Sequence, residues 1–326
     1  MIRADLQEKI DKSVKSLKLA AEMSKEFYKA PLVIAYSGGK DSDVLLNLAE
    51  SCLTPDEFEV QHSLTTVDAP PTIKHIKKQF KRLEEKGIEA SIDYHEYEDE
   101  NGVKRRHTMW RLIEQKGIAP TRIARYCCQV LKESSTPNRI AVLGVRGGES
   151  AKRAGRDIFG VRGGSYRKAT FFSLDHTEEV FEESKSRDPV WDCKLIEIMR
   201  KKGDTVVSPI YEWSDEDIWN YIHEMGIETN PLYQMGFKRV GCVGCPMASY
   251  KGKMMEFELF PTYKQAYIHA FDRMLKTLRE RQKKDGKRRE IEWKNGQEVF
   301  DWWIGKDKLQ CKGQMTLEDF DDTDTT

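Results

Sequence analysis

No apolar run in the 326-residue sequence approaches the ~18 residues of a membrane-spanning helix. An excess of charge is missing too. Lys plus Arg and Asp plus Glu stand at 54 each, so net charge says nothing for or against a nucleic acid or an anionic surface as partner. There is no internal repeat. The opening stretch MIRADLQEKIDKSVKSLKLA has the periodicity of an amphipathic helix and not the plan of a signal peptide. A soluble, cytoplasmic protein with no membrane partner is expected. Cysteine is sparse and odd in number, at seven. Two are adjacent and two are spaced CxxC, a pattern that favours metal ligation over a disulfide framework.

What is present is local. Lys104 to Lys132 and Arg279 to Arg289 are basic, and the last residues, EDFDDTDTT, are acidic. Short β-rich runs alternate with helical patterns: Leu32 to Tyr36, Phe58 to Val67, Ile88 to Tyr94, Arg139 to Val145 and Thr205 to Tyr211 read as strands. The Gly- and Arg-rich stretch up to Arg167 reads as loop, and Met254 to Lys284 as one long helix. Such alternation implies an α/β fold, a doubly wound parallel five-stranded sheet with helical additions at both ends. The division expected is an N-terminal helix over 1–30, a nucleotide-binding domain over 31–250, and a helical extension with an acidic tail over 251–326. Trp213, Trp219 and Tyr221 are spaced as a core face. Trp302 and Trp303 suit either core packing or stacking on bases.

Between the first strand and first helix stands SGGKDS, Ser37 to Ser42. Gly38 and Gly39 permit positive φ and close approach of a ligand, and successive N–H groups at a helix start make an anion cradle. Ser37 and Ser42 add hydroxyls and Lys40 a charge. A Walker A loop requires Ser or Thr after its lysine; Asp41 stands there instead. The loop suits a pyrophosphate, and Asp41 suits a magnesium ion or a hydrogen bond that shapes the loop. After the fourth strand come Arg146, Glu149, Arg153 and Arg156. The arginines are suited to bidentate phosphate contact, and Glu149 to holding an arginine or a metal. Asp68 follows the second strand and suits ribose, adenine, magnesium or simple capping.

Cys127 and Cys128 are adjacent, and Cys242 and Cys245 form GCVGCP. Neighbours on a helix point about 100° apart, awkward for one tetrahedral zinc but workable for two corners of a cubane. A [4Fe-4S] cluster on Cys127, Cys128, Cys242 and Cys245 is therefore preferred, with Cys193 in reserve. Structural zinc and a metal-free pair remain as alternatives.

SGGKDS resembles the PP-loop of the ATP pyrophosphatase superfamily, which cleaves ATP between the α- and β-phosphates. That resemblance implies an adenine nucleotide alpha hydrolase-like (HUP, Rossmann-like) fold and nucleotide contacts from Ser37, Gly38, Gly39, Lys40, Asp41 and Ser42. The run SPIYEWSDEDIWNYIHEMGIETNPLYQMGFKRVGCVGCP and the segment VDAPPT resemble the phosphoadenylylsulfate (PAPS) reductase family. The cysteine pair later joined by CxxC is similar to the iron–sulfur adenylylsulfate (APS) reductases. LGVRGGESAKRAGR resembles a loop shared with the small subunit of sulfate adenylyltransferase and the DNA-phosphorothioation protein DndC. Two departures stand out. No Glu-Cys-Gly motif occurs near the end, where Cys311 in LQCKGQ is the late cysteine, and the complete SGGKDS looks more like an ATP binder than a reductase loop.

The resemblance thus implies an enzyme nearer to DndC than to the reductases. It would bind ATP (or APS or PAPS) with Mg2+, with Lys40, Asp41, Arg146 and Arg153 carrying α-phosphate cleavage, coupled to sulfur transfer. Its expected partners are a sulfur-donor protein (a cysteine desulfurase or thioredoxin) and, through Arg105 to Arg125, an anionic acceptor such as a nucleic acid. Rival expectations are a working APS or PAPS reductase, a sulfate adenylyltransferase and a non-catalytic nucleotide-binding redox module.

Overall fold

The computed structural model describes residues 3–99, 101–132, 138–149, 153–162, 169–185, 194–200, 204–285 and 293–305. Its strands are β1 (Leu32–Ala35), β2 (Phe58–Ser63), β3 (Ala90–Asp93), β4 (Glu96–Glu98), β5 (Lys104–Arg106), β6 (Ile140–Val142), β7 (Phe159–Arg162), β8 (Thr170–Phe172) and β9 (Asp204–Val207). Its helices are α1 (Ala4–Met23), α2 (Lys40–Cys52), α3 (Pro70–Glu85), α4 (Met109–Lys116), α5 (Tyr126–Leu131), α6 (Leu174–Ser184), α7 (Lys194–Arg200), α8 (Asp215–Met225), α9 (Tyr250–Leu259), α10 (Pro261–Asp285) and α11 (Gly296–Ile304). The chain divides into two units, Met1–Arg106 with Cys128–Gly241, and His107–Cys127 with Cys242–Thr326.

The first unit holds a seven-stranded sheet in the order β3-β2-β1-β6-β9-β7-β8. The first five in that order are parallel, with Leu32 opposite Phe58 and Val33 opposite Ala141. These are the five strands expected from the sequence. β7 and β8 extend the sheet through antiparallel pairings, and β7 corrects the loop expected up to Arg167. Phe159 and Val161 are both buried, but two inward positions among glycines and arginines are too weak a signal to read as a strand. β2 is shorter than expected. The Asp68 carboxylate accepts the Thr65 N–H at 2.7 Å, which turns the chain beyond Ser63 out of the sheet. Pro70 and Pro71 then open α3, where their missing N–H groups cost nothing.

β1 is followed by β2 on one side of the sheet and paired with β6 on the other. The chain therefore leaves β1 and β6 in opposite directions, and their carboxyl ends open a crevice. In an α/β sheet that crevice is where ligands bind, and SGGKDS lies on it.

In the second unit the expected single helix over Met254 to Lys284 is two helices. Pro261 cannot continue the helical ladder and disfavours the helical conformation at Phe260, so α9 stops at Leu259 and α10 begins at Pro261. Tyr267 and Trp303 pack with ring centroids 4.6 Å apart and Phe257 and Phe300 at 5.1 Å, an aromatic core between α9, α10 and α11. Trp303 belongs to that core, whereas Trp302 is exposed. No helix among the described residues is long and apolar enough to cross a membrane.

Candidate functional site

Gly38 adopts φ +71°, and a Cβ there would lie 2.9 Å from Ile76 Cγ1. Both the backbone sign and the space demand glycine. Gly39 caps α2: its N–H donates to Ser42 Oγ at 3.1 Å, and the Ser42 hydroxyl donates back to the Gly39 carbonyl at 2.8 Å. Ser37 Oγ donates to Ser42 Oγ at 3.2 Å. The loop is thus laced by its own serines.

Two residues from far downstream finish it. The Asn230 amide donates to the Gly38 carbonyl at 2.9 Å and to Thr72 Oγ1 at 3.1 Å. The Lys40 N–H donates to the Tyr233 hydroxyl at 2.9 Å. Burial pushes the Tyr233 phenol pKa up, so this hydroxyl is neutral. Neither residue was singled out from the sequence, although both lie in the NPLY turn that carried part of the resemblance.

At the head of α2 four charges meet. Lys40 Nζ lies 3.0 Å from Asp41 Oδ2 and 2.8 Å from Asp215 Oδ1. Arg146 reaches Asp41 Oδ1 through Nε at 2.6 Å and Asp215 Oδ1 through its terminal nitrogen at 2.9 Å. The cations are buried, with side-chain exposures of 5% and 8%, while Asp215 is 62% exposed. Partial burial raises the Asp215 carboxyl pKa, but Lys40 and Arg146 outweigh it and hold it below the usual carboxylate range. Taking a cation out of water costs several kcal/mol unless an anion accompanies it, and Asp41 and Asp215 supply that anion. Asp215 escaped sequence reading because an acid in the first turn of α8, beside the Ser214 and Asp217 capping box, is explained by capping alone.

Behind the loop lies a buried network. The Tyr36 hydroxyl donates to Asp43 Oδ1, and His75 Nε2 lies 3.0 Å from that hydroxyl and 3.1 Å from the same carboxylate oxygen. His62 Nδ1–H donates to the Tyr36 carbonyl at 2.9 Å.

The structure therefore brings Ser37, Gly38, Gly39, Lys40, Asp41, Ser42 and Arg146 together. Other candidates are engaged elsewhere. Glu149 pairs with Arg153, whose carbonyl accepts the Tyr211 hydroxyl at 2.9 Å. The Arg156 guanidinium lies 5.6 Å from the Phe171 ring centroid. Asp68 takes the turn-closing bond from Thr65 described above.

Of the cysteines, Cys127, Cys242 and Cys245 belong to the second unit and Cys128 to the first; Cys193 and Cys311 lie outside the described residues. Burial, then the charges of Cys242, Cys245 and Cys127, push the Tyr267 phenol pKa well up. Its hydroxyl donates to the Val243 carbonyl at 2.9 Å, and Glu256 Oε2 accepts the Gly244 N–H at 2.7 Å. Among the described residues no three His, Cys, Asp or Glu side chains are arranged to hold a metal ion.

The sequence model of the phosphoadenosine phosphosulfate reductase domain matches residues 31–248. The chain belongs to this family. It is similar to an uncharacterized protein of Methanocaldococcus jannaschii, 27% identical over 82% of this chain and 54% of that protein. It therefore spans about half the length of that relative. Adenosine 5'-phosphosulfate reductase of Anoxybacillus flavithermus is 23% identical over 74% of this chain and 83% of the reductase. Sulfate adenylyltransferase subunit 2 of Geotalea daltonii is 27% identical over 69% of this chain and 67% of the subunit. The family match ends just past the CxxC pair, so it covers the loop, the arginines and the four cysteines, but not α9, α10 and α11.

Proposed function

We propose that this member of the phosphoadenosine phosphosulfate reductase family binds ATP, or a related adenylyl nucleotide, with Mg2+ and cleaves it at the α-phosphate. An acceptor oxygen attacks the α-phosphorus, and the bond to the bridging oxygen of the β-phosphate breaks. That oxygen keeps the electron pair, and pyrophosphate leaves. Hydrosulfide released by a donor protein then attacks the adenylylated acceptor: the new bond to sulfur forms as the bond to the AMP oxygen breaks, and AMP leaves with that electron pair.

The observation that carries this reading is the convergence of buried Lys40 and Arg146 on the head of α2, beside the Ser37–Ser42 loop. Two fixed cations and a helix N-terminus oppose the charge that grows on the departing pyrophosphate, and no solvent reorganisation is needed to position them. Mg2+ takes one or two carboxylates together with substrate phosphates, and Asp41 is the carboxylate at hand; bound there, the ion would neutralise phosphate charge. Cys127, Cys128, Cys242 and Cys245 are proposed to hold a [4Fe-4S] cluster from residue type and spacing, an adjacent pair later joined by CxxC. No step of the nucleotide chemistry above runs through that cluster.

The test is pyrophosphate release from ATP and Mg2+, with sulfate, DNA or tRNA offered as acceptor. Release is expected with one of them, and Lys40→Ala should slow it about 100-fold. No release with any acceptor, or an unaffected Lys40→Ala protein, overturns the reading. Sulfite formed from adenylylsulfate and thioredoxin would instead mark a reductase.

A further inference from the structure

The geometry points to Asp215 as an internal occupant of the phosphate site, a carboxylate that an incoming phosphate must displace. This rests on the reading of Lys40 and Arg146 as phosphate-binding cations. One oxygen of Asp215, Oδ1, contacts both, at 2.8 Å and 2.9 Å. A single anionic oxygen bridging two buried cations at the head of a helix is the arrangement a phosphate oxygen would make.

Mobility decides which partner yields. Lys40 and Arg146 are almost fully enclosed and each also holds Asp41, so neither can leave without stranding a buried charge. Asp215 is mostly in solvent, and a rotation about its side chain returns it to water at little cost. Its role is distinct from that of Asp41. Asp41 lies within the loop, engages the cations through separate oxygens and is more enclosed. Asp217, two positions on, has its own partners in Lys9 and the Ser214 cap, so α8 keeps its start when Asp215 swings away.

A carboxylate that competes for the site lowers the apparent affinity of every ligand that must displace it by one common factor, the fraction of molecules with the site open. Asp215 is the exposed member of both contacts, and on the scale of ion pairs with an exposed partner that factor is roughly three- to tenfold.

Titration calorimetry of the full chain with inorganic pyrophosphate, at low salt, with and without Mg2+, reads it directly. Asp215→Asn and Asp215→Ser should both bind pyrophosphate roughly three- to tenfold more tightly than the parent, and bind inorganic phosphate more tightly by the same factor. In a Lys40→Met background the gain should shrink, because one of the two displaced contacts is already gone; a purely structural effect on α8 would persist there. Parent binding with no gain in either variant overturns the inference while the phosphate-site reading stands. Weaker binding confined to Mg2+ makes Asp215 a metal ligand and also overturns it. Absence of binding in parent and variants alike removes both.

Discussion

Asn230 donates to the carbonyl of Gly38 from 192 positions downstream, and the whole of its side chain is buried. The turn that opens the Ser37–Ser42 loop is thus held by a residue that follows the last parallel strand. Its amide oxygen also accepts the Leu232 N–H at 3.1 Å, so one side chain satisfies backbone groups of both turns. Asn230→Ala would leave the Gly38 carbonyl and the Leu232 N–H without those partners, at about 1–3 kcal/mol each. Urea unfolding should show a loss of roughly 2–4 kcal/mol, and pyrophosphate affinity should fall with it. Asn230→Asp, which offers an acceptor where a donor is needed, should do no better.

His62 makes the stability of the first unit depend on pH. Burial lowers its pKa and outweighs the opposing pull of Asp68, so the neutral ring is the folded form, with Nδ1–H on the Tyr36 carbonyl. The folded pKa lies below the ordinary value of 6.5. The contribution is therefore complete above that value and is lost as pH falls below it, where the unfolded chain takes up the proton first. Stability measured from about pH 7.5 down to pH 5 should decline in the parent. His62→Asn should flatten that decline; an equally steep loss in the variant would remove His62 as its source.

Gly244 tests the core beside the thiols. It adopts φ +70°, and a Cβ would stand 2.7 Å from Phe257 Cζ, 2.9 Å from the Trp303 ring and 3.0 Å from the Tyr267 ring. Gly244→Ala combines left-handed strain with overpacking. It should cost about 2–4 kcal/mol and lower the melting temperature, with Trp303 fluorescence reporting the loosened ring cluster.

The metal proposal is checked by anaerobic purification with iron and sulfide analysis. About four of each per chain, with absorption near ~400 nm, is expected. Cys242→Ser and Cys245→Ser should each deplete both. Zinc and a colourless solution would replace the cluster with a structural ion, and a metal-free protein would remove it.

How much of this could be read in advance follows the range of the contacts. SGGKDS was legible because its six residues are contiguous and their chemistry is local. The five parallel strands were legible because β1 and β6 are short apolar runs and β2 alternates buried and half-buried residues, each set between helical patterns. Arg146 could be placed beside the loop because a strand order with one reversal puts β6 next to β1. Asn230, Tyr233 and Asp215 were not legible, since each acts on the loop from 175 or more positions away, and each has an ordinary local explanation in a turn or a helix cap. Arg153 and Arg156 were chosen for residue type and nearness in sequence; Arg153 pairs with Glu149, one of the two roles read for that glutamate, and Arg156 lies over the Phe171 ring. The break at Pro261 was written in the sequence, where a proline after Phe260 stands inside a helical pattern.

The clamp formed by Asn230 and Tyr233 has a consequence for the order of events on the ribosome. Asn230 is synthesised 192 positions after Gly38, so when SGGKDS emerges nothing yet fixes the Gly38 carbonyl or the Lys40 amide. Those constraints arrive only after the last parallel strand has been synthesised. The loop therefore takes its final shape only in a chain whose first unit is nearly complete.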